Sequence, residues 1–165
     1  MMEFSKPREE HRFLEKLVGD WLVTATNTDP DYNPDDPDKR WTETVRSVGG
    51  LWFIAEGGGG MPGGGGRATM VMTLGFDPSV GHYVGTWIGS MMDKFWVYKG
   101  WVEPDGRTLT LEAEGPDFDD ASKTNIYRDV IRFTDDDHRT FSGSVRQPDG
   151  SFKTFMTSEM KRVRA

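Results

Sequence analysis

From Trp21 onward the chain settles into a period of two: ten short runs rich in valine, threonine, isoleucine and aromatic residues, each bounded by glycine, proline or aspartate. The runs fall at about Asp20 to Asn27, Arg40 to Val48, Leu51 to Glu56, Arg67 to Phe76, His82 to Met91, Lys94 to Val102, Thr108 to Glu114, Asn125 to Phe133, Arg139 to Gln147 and Phe152 to Lys161. Between them stand Asp77-Pro78-Ser79-Val80-Gly81, Pro104-Asp105-Gly106, Asp135-Asp136-Asp137 and Pro148-Asp149-Gly150, where Asp and Gly accept the dihedrals of tight hairpins. Most neighbouring strands must then pair antiparallel. No long helix is available to cover a sheet face, so ten strands in up-and-down order are best satisfied by closing the sheet, which removes its unpaired edges. The expected fold is all-β, an antiparallel up-and-down barrel of about ten strands with a short N-terminal helix.

That helix is expected over about Pro7 to Val18, where Phe13, Leu14 and Leu17 recur at the intervals of one helical face. Ser5 suits an N-cap, Pro7 the first turn, and Glu9 with Glu10 the positive end of the dipole. Gly19 ends it, and Gly19-Asp20-Trp21 hands over to the first strand.

A length of 165 residues fits one domain, residues 1–165, with a single core. The net charge of -7 argues against nucleic acid, whose phosphates need a clustered positive face. Without cysteine there is no thiol nucleophile and no thiolate metal site, which fits a reducing compartment. No apolar stretch approaches a membrane span, and the start, Met1 to Pro7, lacks the apolar core of a signal peptide. The expectation is a cytoplasmic protein.

Two loops stand out. Thr28 to Lys39 is rich in Asp, Asn and Pro and reads as a solvated connection; Asp29, Asp31, Asp35, Asp36 and Asp38 lack the Gly-then-Glu frame of a calcium-binding EF-hand. Gly57 to Gly66 holds eight glycines around Met61 and Pro62, including a literal Gly-X-Gly-X-X-Gly. It leads into a strand rather than a helix, so it cannot present a helix N-terminus to a pyrophosphate. It reads as a flexible hairpin tip, with a mobile flap over the barrel mouth as the sharper alternative.

On the strand Arg67 to Phe76, Ala68, Met70, Met72, Leu74 and Phe76 form one apolar face that should look inward. The next two strands are partly apolar on both faces, through Tyr83 and Trp87 against Val84 and Ile88, and Phe95, Val97 and Trp101 against Trp96 and Tyr98. An apolar exterior predicts a homodimer. The interior residues Met70, Met72, Trp87, Trp96, Tyr98, Trp101, Tyr127 and Arg128 are the candidates for lining a ligand cavity, with packed core as the competing reading.

Catalytic and metal patterns are sparse. His11, His82 and His138 show no close metal spacing, and Ser90 and Ser142 lack a nucleophile-elbow frame. No metal site is predicted. The candidate acids are Glu56, at the end of an apolar strand, and Asp129, which shares a strand face with Tyr127, Ile131 and Phe133. Either could be a desolvated acid with a raised pKa, or could pair with Arg46, Arg128 or Arg132.

Gly75-Phe76-Asp77-Pro78, Tyr83-Val84-Gly85-Thr86-Trp87-Ile88 and Ser90-Met91 together resemble the central motif of the DUF1579 family, small bacterial proteins of uncharacterised function. His11 and Leu14 before Gly19-Asp20-Trp21, Gly49-Gly50 before Leu51, and Pro148-Asp149-Gly150 before a last basic strand follow the same order. One departure is Gly89, where the family commonly carries an Asp, so that carboxylate is missing or moved to Asp93. The family in turn resembles the calycins, the lipocalin-like barrels, in its Gly-X-Trp at strand one. That resemblance implies that Trp21 plugs the closed end of the barrel against Arg162 or Arg164. Calycins include haem-binding barrels, but no histidine here matches a proximal ligand, so no cofactor is predicted. The fold analogy implies binding of a small hydrophobic or amphipathic molecule. An enzyme acting on such a molecule, as an isomerase, cyclase or hydrolase, and a protein-interaction module are the alternatives.

Overall fold

The structure, a computed structural model, describes residues 2–164. Ten strands follow a short helix, α1 (His11–Glu15): β1 (Gly19–Thr26), β2 (Thr42–Val48), β3 (Trp52–Gly60), β4 (Arg67–Asp77), β5 (His82–Gly89), β6 (Met92–Val102), β7 (Thr108–Pro116), β8 (Thr124–Asp135), β9 (His138–Arg146) and β10 (Phe152–Val163). They form one closed antiparallel barrel in chain order, and β10 returns to pair with β1, placing Arg162 opposite Trp21. No helix among the described residues is long and apolar enough to cross a membrane.

The helix is shorter than the expected Pro7 to Val18 because its flanks tighten into turns. Backbone bonds of i to i+3 type join His11 to Arg8, Arg12 to Glu9, Leu17 to Leu14 and Val18 to Glu15. Ser5 does not cap it. Instead Glu10 stands at the N-cap without a side-chain bond, and the Arg8 N–H donates to His11 Nδ1 at 2.9 Å. The helix and the turn that follows it seat Phe13, Leu14 and Leu17 in the barrel end, where Phe13 meets Phe133 edge-on at 5.6 Å.

The second difference is β3, which continues four residues past its expected end at Glu56. Gly57, Gly58, Gly59 and Gly60 pair with Met70, Thr69, Ala68 and Arg67 of β4. These glycines are therefore strand rather than flexible tip, and the reason is close packing. A Cβ on Gly59 would enter the Trp41 ring, and one on Gly60 would strike the Asp38 carbonyl oxygen. The Trp41 indole N–H donates to the Gly60 carbonyl at 2.9 Å, laying the loop between β1 and β2 across the glycine strand. Beyond it a tight turn, Pro62–Gly64, is closed by the Met61 N–H on the Gly66 carbonyl at 2.8 Å.

The Thr28 to Lys39 loop uses its acidic and amide side chains on itself. Asp29, Asn33 and Asp36 each accept from the N–H two residues on. Tyr32 ties it to the barrel, its hydroxyl donating to the Val23 carbonyl at 2.7 Å and accepting from the Trp41 N–H at 3.0 Å.

Candidate functional site

The two ends of the barrel differ in what fills them. At the helix end Trp21 is fully buried, its indole N–H donating to the Leu17 carbonyl at 2.8 Å. Two guanidinium carbons, those of Arg162 and Arg139, each lie 4.4 Å from its ring centre. Arg162 also donates to the Val18 carbonyl at 2.6 Å and the Lys16 carbonyl at 2.7 Å, so one side chain satisfies the end of the helical segment and covers the tryptophan. Arg164 instead pairs with Asp137 at the surface. Above this plug Phe53, Leu74, Leu109, Leu111 and Ile131 fill the barrel.

Arg139 is the group that sequence reasoning missed. It is 2% exposed, lies on β9, and forms an ion pair across the interior with Glu43 of β2. Its Nε has no partner among the described residues, and the side chain borders a void of about 10 Å³, room for roughly one water. No spacing could reveal this pair, because its members stand 96 residues apart.

The other half of the barrel is open, with a cavity of about 480 Å³. Its walls combine Met70 from β4, Trp87 from β5, Trp96 and Tyr98 from β6, Tyr127 and Asp129 from β8, and Met156 and Met160 from β10, with Glu43 at the inner end. Trp41, Phe118, Met91, Met92 and Phe155 also line it; of these, Phe118, Met91, Met92 and Phe155 are exposed large apolar side chains. Ladder irregularities in β10 between Thr154 and Met156 let the adjacent Phe155 and Met156 both reach the cavity.

Alternation sorts the expected lining residues. Met70, Trp87, Trp96, Tyr98 and Tyr127 face the cavity. Met72 points inward but is packed into the filled half, beside the small void. Trp101 and Arg128 do not line the cavity, because each stands one or three residues out of phase with Tyr98 and Asp129. They meet each other instead. The Arg128 guanidinium lies 5.4 Å from the Trp101 ring and 3.8 Å from the Phe152 ring and pairs with Glu112 at 3.0 Å.

The two candidate acids separate in the same way. Glu56 is exposed on the outer face and cannot reach the interior. Asp129 lines the cavity and accepts the Tyr98 hydroxyl hydrogen bond at Oδ2. Burial pushes its carboxyl up from 3.8 to about 6, with the Tyr98 hydrogen bond opposing. Tyr98 is raised well above its ordinary value by burial and by the adjacent carboxylate. Among the described residues Asp129 forms no ion pair with Arg46, Arg128 or Arg132, the last two of which lie on the opposite face of β8.

No curated protein matches the sequence. A solved structure described as a redesigned beta barrel is 12% identical, with a TM-score of 0.45, over 93% of this chain and 96% of its own. The family model that matches covers residues 6–162, almost the whole barrel. The chain belongs to the DUF1579 family, described as proteins of unknown function.

Proposed function

We propose that this barrel binds a small hydrophobic or amphipathic molecule in its open half. The observation that supports this reading is the cavity of about 480 Å³, walled by methionine and aromatic side chains. A filled barrel would need no apolar side chains around an open mouth; here Phe118 is 65% exposed. Native mass spectrometry of the purified protein and titration with the fluorescent dye N-phenyl-1-naphthylamine test the reading. A bound small molecule or a saturable dye signal is expected, lost in Ala113→Phe, which places a ring in the cavity wall. No adduct, with dye fluorescence identical in both proteins, would overturn it.

A second reading has one specific observation behind it. A cavity-facing carboxyl with a pKa of about 6 is poised to take or give a proton near neutral pH, so Asp129 could serve as the acid-base group of an enzyme. Turnover of a co-purified molecule, abolished by Asp129→Asn with binding retained, would favour it over binding alone.

The exterior supports self-association into a homodimer. Ile88 of β5 and Phe95 and Val97 of β6 are 46%, 58% and 59% exposed on adjoining strands. Light scattering should give twice the chain mass at micromolar concentration and the single mass for Phe95→Asp with Val97→Asp. A wild-type monomer would contradict it.

A further inference from the structure

We propose that the cavity selects an apolar molecule carrying a protonated amine, with the nitrogen seated against Asp129. This rests on the ligand-binding reading and names the head group. The charged side chains that line the cavity are Glu43 and Asp129; no lysine, arginine or histidine lines it among the described residues. Glu43 already has a counter-ion in Arg139, which approaches from the filled half.

Asp129 has none. The hydrogen bond it accepts comes from the neutral Tyr98 hydroxyl at Oδ2, and Oδ1 accepts none from the described residues. Its neighbours are apolar or neutral: Leu111 of β7 and Gly143 of β9 stand opposite it in register, and Tyr127 and Ile131 flank it on its own strand. A carboxylate held in an apolar wall without a counter-ion is stabilised most by a ligand that brings the positive charge. The aromatic side chains of Trp87, Trp96 and Tyr127 line the same cavity, and π surface of this kind favours a cation over an anion. A carboxylate head group would instead meet two acidic side chains and no cation. The net charge of -7 disfavours anions at longer range as well.

Competition against N-phenyl-1-naphthylamine by decylamine, decanol and decanoate, each below its aggregation concentration at neutral pH, tests the head group. The amine should displace dye about tenfold or more tightly than the alcohol, as befits a hydrogen bond to a charged group, with the acid weakest. Asp129→Asn should remove the amine's advantage and leave the alcohol unchanged, which also shows that its cavity is intact. If Asp129→Asn fails to fold, the wild-type ranking decides. Equal binding of amine and acid, or an amine preference that survives Asp129→Asn, overturns the head group and leaves the cavity reading standing. Failure of the dye and all three competitors to bind overturns both.

Discussion

Arg139 serves two partners: its guanidinium lies over the Trp21 ring and forms an ion pair with Glu43 at the inner end of the cavity. Removing one member of a buried pair leaves the other charge uncompensated, at a cost of about 3–5 kcal/mol. Arg139→Met should therefore lose that much stability in urea, and adding Glu43→Leu should recover most of it. Additive effects in the double variant would show that the pair is not coupled. Asp129 makes the opposite kind of prediction, because its folded pKa is raised rather than lowered. Below about pH 4 the carboxyl is protonated folded or unfolded, and its burial costs little. Between about 4 and 6 the unfolded carboxyl ionises while the native one keeps its proton, so wild-type stability falls relative to Asp129→Asn. The rise from 3.8 to about 6 is worth on the order of 2–3 kcal/mol, reached above pH 6. Urea midpoints of the two proteins at pH 4 and pH 7 check this, and parallel pH profiles would contradict it.

At the scale of elements, the glycine strand shows what a side-chain pattern can and cannot reveal. Gly57 to Gly60 belong to β3 through their pairing with β4, and at Gly59 and Gly60 the loop before β2 comes so close that glycine alone leaves the room. Gly60→Ala should cost about 1–3 kcal/mol, as overpacking does, and should raise protease cleavage within the loop before β2. Gly65→Ala, where a Cβ meets only ordinary or slightly tight contacts at 3.4 Å and 3.5 Å, should change neither. Equal effects at both positions would mean that the close approach is not what requires glycine. Ten strands and their antiparallel order were legible because alternation and Asp-Gly turns are local signals. The end of β3 was not, since glycine has no side chain to alternate and its partner, Trp41, is remote in sequence. Alternation also carried enough to place Trp101 and Arg128 outside, one or three residues out of phase with Tyr98 and Asp129, although residue type suggests a ligand wall. Asp129 itself was legible from its face, whereas its isolation from arginine follows from Arg128 and Arg132 sharing the opposite face.

For the molecule as a whole, closure of β10 on β1 puts both termini of the barrel at one end and leaves the cavity at the other. Stability and binding should then respond to different residues. Trp21 is fully buried and contacts Phe133 edge-on at 6.3 Å, two guanidinium groups and the Leu17 carbonyl, so Trp21→Ala removes a large ring from the plug. The expected loss is about 3–5 kcal/mol, read as a lower urea midpoint. Dye affinity, measured well below the unfolding transition, should stay within about twofold, because the filled layer of Phe53, Leu109 and Ile131 stands between the plug and the cavity. Ala113→Phe should do the reverse, abolishing dye binding while the added ring fills empty space and leaves the urea midpoint unchanged or higher. Measuring both quantities on both variants separates the two ends. A Trp21→Ala protein that keeps its stability and loses the dye would place the binding site at the plug and reverse the assignment.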